Sequence, residues 1–387
     1  MRGDLMRGTN AGLMKENNKC LLLRLIRQGG YSRAGLAKET GLTKATISLL
    51  TDELMQSGLI FDEPAQDIAG VGRNPLILKL CESSRCVIGI GLSRNDYQLG
   101  AFDLGGNCLE METKSYLPGS AQLNAQNIAE QIEKYREMLH GKNIIGIGIA
   151  SPGPVNYKTG TILNPPDFSK WHNFNICEYL FKKTNLPCVL ERDSYAYAMA
   201  EQYFGCCQTE DNFAYVVIDE GIGAGVVVNN KFYRGSQGRG CELGHITVIP
   251  NGKQCTCGNR GCLERYASIP ALIEGTKYSS WREIIDANDT KIIEKEAEYM
   301  SDALVSLINL FDLETVVLGG GIIYGGHRLA NIIQSQVKSR TIVNHPVRVA
   351  ISASEKSKAL AGASTAMHNL FFRPLDKSLY KTTETQF

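Results

Sequence analysis

The stretch GHITVIPNGKQCTCGNRGCLE, residues 244 to 264, constrains this chain more than any other. It crowds His245, Cys255, Cys257 and Cys262 together, and Gly258 and Gly261 permit the tight turns that would aim all four side chains at one point. Three thiolates and an imidazole form a closed tetrahedral set for Zn2+. Such a set leaves no position for water, and three sulfurs place too much negative charge on the metal to favour hydroxide chemistry. The expected zinc is therefore structural, one per chain. Compartment supports metal over disulfides. The N-terminus, MRGDLMRGTNAGLMKENNK, scatters charges with no apolar signal region, and no apolar run approaches the roughly 20 residues of a membrane span. A cytoplasmic, reducing location is expected, where clustered cysteines bind metal. Among the 12 cysteines, Cys20, Cys81, Cys86, Cys108, Cys177 and Cys188 stand singly in apolar contexts and read as packing, while Cys206, Cys207 and Cys241 are not needed as ligands.

At 387 residues and 43% hydrophobic composition the chain can bury two or three cores. From residue 85 onward strand and helix signals alternate, which predicts an α/β architecture with mixed sheets. Residues 86–92, 97–104 and 108–114 read as a three-strand meander, followed by a helix over 122–139 and a buried strand over 144–150. Residues 213–219, 224–228 and 231–233 repeat the theme, followed by a helix over 294–310, a strand over 315–318 and a helix over 328–338. Two similar lobes, 83–200 and 201–387, are expected to flank a ligand cleft.

The first 82 residues differ in character. Residues 1 to 60 carry nine Lys/Arg against five acids, although the whole chain is nearly neutral at +1. Leu21, Leu22, Leu25 and Ile26 repeat at helical spacing. Leu36, Ala37 and Thr40 continue on a second helix capped by Ser32, Gly41 supplies a left-handed turn, and Thr43 caps a third helix burying Ile47, Leu50 and Leu54. That spacing predicts a helix-turn-helix, with residues 59–61 and 76–80 pairing as a wing. The third helix would face DNA with Lys44, Ala45, Thr46 and Ser48 at the end that enters the major groove. Arg33 joins this DNA-facing set, and Arg73 at the wing tip is placed for phosphate or the minor groove.

The zinc-type motif, with GIGIASPGPVNYKTGTILNPP at 146 to 166, ERDSYAYAMAE at 191 to 201, CELGHITV at 241 to 248 and LGGG at 318 to 321, resembles the ROK family of bacterial repressors and sugar kinases. The resemblance implies an actin-like, ribonuclease H-like two-lobed body, and the attached winged helix implies the repressor branch, similar to its xylose-responsive members. The family's sugar pocket would fall on Asp193, Glu242, His245 and Glu264, with Gly153 and Asn164 as weaker candidates. Carboxylates and an imidazole suit polyol hydroxyls. His245 would bond zinc through one ring nitrogen and sugar through the other.

The kinases' phosphate machinery is altered. Gly91 stands where the family's first phosphate-loop Asp should fall, and Ser93, Arg94 and Asn95 replace the Gly-Gly-Thr turn. Asp219 and Glu220 put two carboxylates into the second loop, opposing phosphate. Asp193 keeps the catalytic-base position, but Arg192 replaces the usual preceding Asn. Arg192 has three roles open to it: pairing with Asp193 or Glu191, recognising an anionic sugar, or closing the pocket. The expected function is a homodimeric repressor of carbohydrate-utilisation genes, with pairing of dimers into tetramers left open, that binds a pseudo-palindromic double-stranded operator, responds to a sugar, and has no kinase activity. A ligand-independent or partner-controlled DNA-binding protein and an active sugar kinase remain the alternatives.

Overall fold

The computed structural model describes residues 11–64, 76–236, 238–342, 346–352 and 357–372. Three helices come first: α1 (Ala11–Gln28), α2 (Arg33–Thr40) and α3 (Lys44–Gln56). Their caps are those the sequence specifies. The Ser32 hydroxyl accepts from Gly35 N, Gly41 closes α2 with φ 70°, and the Thr43 hydroxyl accepts from Thr46 N. Leu36, Ile47, Leu50 and Leu54 are buried as expected. On α1, Leu22 and Ile26 are buried, but Cys20 and Leu23 complete the stripe in place of Leu21 and Leu25. A run of three leucines carries no phase of its own, so the packing partners chose the face. Strands β1 (Ile60–Pro64) and β2 (Leu76–Leu80) pair antiparallel from Ile60↔Leu80 to Pro64↔Leu76. Arg73 lies outside the described residues.

The body follows with β3 (Cys86–Leu92), β4 (Asp96–Asp103), β5 (Cys108–Ser115), α4 (Ala121–Met138), β6 (Ile144–Ser151), the short strands β7 (Val155–Asn156), β8 (Thr161–Ile162) and β9 (Phe174–Asn175), α5 (Ile176–Thr184) and β10 (Cys188–Arg192). Five of these strands form a sheet in the order β10-β6-β3-β4-β5. All seven residues of β3 are buried, as a strand covered on both faces requires.

After α6 (Asp193–Phe204) come β11 (Phe213–Ile218), β12 (Ile222–Val228), β13 (Lys231–Phe232), the short helices α7 (Glu264–Ala267), α8 (Ile269–Ile273) and α9 (Trp281–Asp286), then α10 (Thr290–Phe311), β14 (Thr315–Gly319), α11 (Gly326–Lys338), β15 (Arg348–Ile351) and α12 (Lys358–Ala366). The second sheet runs β13-β12-β11-β14-β15, with β11 antiparallel to β12 and parallel to β14. Strand for strand this repeats the order of the first sheet, so the expected repetition of the theme is a duplicated topology. Its core packs Met300, Leu304 and Ile308 of α10 with Val216, Val316 and Leu318.

The chain divides into two compact units, one of Met1–Ile149, Lys158–Leu190 and Gly362–Phe387, the other of Ala150–Tyr157 and Glu191–Ala361. The boundaries expected at 82 and 200 differ from these for identifiable reasons. The first helices are not set apart, because Cys20 Sγ donates to Phe371 O at 3.4 Å and Arg85 donates to Ser57 O at 3.1 Å. The described residues from Gly362 onward return to the first unit, because this part of α12 packs closely on β3: a Cβ at Gly362 would fall 2.5 Å from Ile90 N.

Candidate functional site

The 244 to 264 stretch folds back on itself. Thr247 bridges Cys262, Gln254 bridges Arg260, and Val248 N donates to Gly261 O. Gly258 and Gly261 hold φ values of 95° and 78°, and a Cβ on Gly261 would fall 1.7 Å from Ile249 O, so no larger residue fits there. The fold brings ligand atoms of His245, Cys255, Cys257 and Cys262 within 4.8 Å of one another. Cys257 Sγ and Cys262 Sγ are 3.7 Å apart, and Cys255 Sγ is 3.7 Å from His245 Nδ1. Bonds of about 2.3 Å at tetrahedral angles separate two sulfurs by roughly 3.8 Å, so the donor set and its spacing fit a tetrahedral metal. Asn259 Nδ2 donates to Cys262 Sγ at 3.4 Å, orienting that thiol from outside the set. No other such group occurs among the described residues. Of the cysteines read as packing, Cys20, Cys86 and Cys177 are buried, and burial pushes the thiols of Cys20 and Cys86 up to about 11. Cys108 is a correction: it opens β5 at the sheet edge and is exposed.

One of the remaining polar candidates, Glu242, is held by a contact that the sequence did not reveal. Arg192, the last residue of β10, is only 8% exposed. Its Nη1 donates to Glu242 Oε1, and its Nη2 donates to Ala224 O at 3.2 Å and Gly240 O at 2.9 Å. The guanidinium stacks 4.9 Å from the Tyr195 ring, and its stem packs against Gly153, where a Cβ would fall 2.6 Å from Arg192 Cδ. Burial opposes the charge on Arg192, but Glu242 and neighbouring groups more than offset it and raise its pKa. Of the roles the sequence left open to Arg192, the side-chain pairing with Glu191 is not the one seen. Glu191 is taken by Arg234, which reaches its Oε2 at 2.7 and 2.9 Å, and that pair is buried on both sides. Asp193 Oδ1 accepts from Ser194 N at 2.7 Å at the start of α6.

Glu264 holds a different position. Its Oε2 accepts from Ile222 N at 3.0 Å and a Cβ on Gly221 would meet it at 2.7 Å, so this carboxylate closes the turn between β11 and β12. Asp219 borders the same turn, with its Oδ1 3.3 Å from where a Cβ of Gly321 would stand. Gly91 is an interior residue of β3, and the turn after it is closed by Ser93 N donating to Asp96 O. Gly153, Asp193, Glu242, His245 and Glu264 belong to the second unit. Asn164 is exposed and belongs to the first.

On the helical region, Lys44, Ala45 and Ser48 are exposed on α3, and Thr46 is half-buried with its hydroxyl 2.9 Å from that of Thr43. Leu49, 57% exposed, stands on the same exposed side and was missed. Arg33 is not free to face outward as expected. It bonds Thr51 Oγ1 at 3.0 Å and pairs with Asp52 and Asp62, linking α2 to α3 and β1. Lys15 and Lys19 are likewise paired with Glu53, so part of the basic excess is neutralised internally.

No helix among the described residues is long and apolar enough to cross a membrane. The ROK family pattern matches residues 87–369. The xylose repressor of Bacillus spizizenii is 32% identical over 84% of this chain and 87% of its own length. The N-acetylglucosamine repressor of Escherichia coli O157:H7 is 27% identical over 89% of this chain and 90% of its own. A solved ROK family transcriptional regulator, a homologue of E. coli MLC protein, superposes with a TM-score of 0.81 at 27% identity, covering 95% of this chain and 99% of its own. The ROK hexokinase from Thermus thermophilus superposes at 0.65 and 28% identity, covering 73% of this chain and 98% of its own. With a doubled α/β body, a helical region ahead of it and the family pattern over most of its length, this chain belongs to the ROK family.

Proposed function

We infer that this chain is a sugar-responsive transcription repressor. The observation that carries the reading is coverage: the regulator accounts for 95% of the chain where the hexokinase accounts for 73%, and the relatives named repressors match 84% and 89% of it. Residues 1–82 act as a winged helix-turn-helix. α3 enters the major groove of double-stranded DNA, with Lys44 supplying charge and Ala45, Thr46 and Ser48 facing base edges. Arg33 holds that helix in place rather than touching DNA. Two copies read a pseudo-palindromic operator.

The body binds a sugar through Asp193, Glu242, His245 and Glu264, with Gly153 in the same unit. His245, Cys255, Cys257 and Cys262 hold one structural Zn2+. The metal supplies a fixed tetrahedral anchor when bound, and the residues' own contribution is to close the loop and orient the His245 ring beside the sugar. Kinase activity is absent from this reading. The amide of Ile222 is already occupied by Glu264, and Asp219 and Glu220 border the same turn, so a phosphate there meets carboxylates instead of free amides.

Fluorescence anisotropy on labelled upstream DNA, with and without a sugar panel, tests the reading. Saturable DNA binding that weakens with one sugar supports it. Binding that no sugar alters favours the partner-controlled alternative, and ATP turnover abolished by Asp193→Asn would establish the kinase.

A further inference from the structure

Arg192 and Glu242 are unequal partners. Arg192 is fixed: it is buried, held by two backbone carbonyls, stacked on Tyr195 and packed against Gly153. The Glu242 side chain is 48% exposed and is the member that can turn away. In the structure Arg192 therefore occupies a carboxylate suited to accept sugar hydroxyls.

We propose that the Arg192–Glu242 pair is an internal lock on the effector site, and that an uncharged polyhydroxyl ligand binds by drawing Glu242 off the guanidinium. The proposal rests on the sugar-binding reading above. When Glu242 turns, Arg192 keeps its bonds to Ala224 O and Gly240 O, and the Asp193 carboxylate still acts on its charge, so no bare buried cation is left. The local charges also select against an anionic ligand. The carboxylates of Glu191, Asp193 and Glu242 outnumber the guanidiniums of Arg192 and Arg234, so a phosphate or carboxylate would meet net negative charge from these groups. A lock of this kind lowers apparent affinity by the fraction of time it stands open, which makes Arg192 a specificity-determining residue without its touching the ligand.

Isothermal titration calorimetry on the full-length, zinc-loaded protein tests this with xylose, glucose, N-acetylglucosamine and the corresponding sugar phosphates, on the native chain and on Arg192→Asn. Arg192→Met, which keeps an apolar stem against Tyr195, serves where the first variant does not fold. Removing the lock should tighten binding of one neutral sugar by about tenfold or more, or bring out binding that the native chain lacks. Arg192→Lys, a shorter cation without the planar fork, should fall between the two. Unchanged or weaker binding of a neutral sugar that the native chain binds overturns the lock alone. A sugar phosphate bound by the native chain and lost in the variant also overturns it, by making Arg192 an anion receptor. If neither the native chain nor the variants bind any of these sugars, the sugar reading itself fails and the lock falls with it.

Discussion

The metal loop and the Arg192–Glu242 cluster are both built from polar groups of the second unit, yet they are assembled in opposite ways. The loop draws all four ligand-type residues from positions 245 to 262, and its turns are set by Gly258 and Gly261 within the same stretch. The cluster draws its contacts from Gly153, Arg192, Ala224, Gly240 and Glu242. A short-range site depends on local backbone freedom and, here, on the metal it is proposed to hold. A long-range site depends on strands and helices being placed first, and its groups satisfy one another when no ligand is there.

The sharpest break of that comparison is in the metal loop. Cys262→Ser should abolish stoichiometric zinc, read by elemental analysis, and lower the thermal midpoint by more than any other change considered, since a structural zinc site contributes folding free energy outright. Retention of both metal and midpoint would show that the loop folds without its fourth ligand. Next in size is Glu191→Gln, which strands the buried Arg234 guanidinium and should cost about 3 kcal/mol in urea unfolding, with zinc content unchanged. A loss of zinc in that variant would mean that loop and cluster are one cooperative structure rather than two.

A third test uses a buried glutamate with the opposite environment. Glu296 on α10 is fully buried, neither carboxylate oxygen has a partner among the described residues, and burial pushes its carboxyl well above the usual value near 4.5. The folded state therefore holds a proton that the unfolded chain releases, so the stability linked to this group is present below about pH 4.5 and is lost as pH rises towards the raised folded value. Glu296→Met should raise stability at neutral pH by about 1–2 kcal/mol and flatten the pH dependence across that window. Destabilisation at pH 7 would show that the carboxyl has a function in place. The smallest expected effect is at Thr43→Ala, which removes the cap of α3 and should cost about 1 kcal/mol while weakening DNA binding through fraying of the helix that carries Lys44.

Much of the fold was legible because its signals are local. The expected strand cores at 86–92, 108–114 and 315–318 and the helix over 122–139 lie within a residue or two of the observed elements. The caps Ser32, Gly41 and Thr43 act as their chemistry dictates. What escaped were short strands such as β7 to β9 and the return of the described residues from Gly362 onward to the first unit. A two-residue strand carries no periodicity, and Gly362 reveals close packing only once Ile90 and Gly148 lie against it. In the candidate site, the four residues whose ligand-type atoms converge were readable from spacing alone. The partner of Arg192 was not: pairing with its neighbours Glu191 or Asp193 was one of three roles left open, whereas the residue that reached it is fifty positions away.

Sequence by itself determined the elements, their caps, the clustering of His245 and three cysteines in one loop and membership of a family, because each is written in neighbouring residues or in a pattern shared along the chain. Tertiary structure alone decided which charges meet: that Arg33 braces α2 instead of facing outward, that Glu264 closes a turn, and that Arg192 holds Glu242. Coulombic and hydrogen-bond partners depend on distance in space, and a strand direction or a helix start moves a guanidinium by more than the few ångströms that separate one carboxylate from the next.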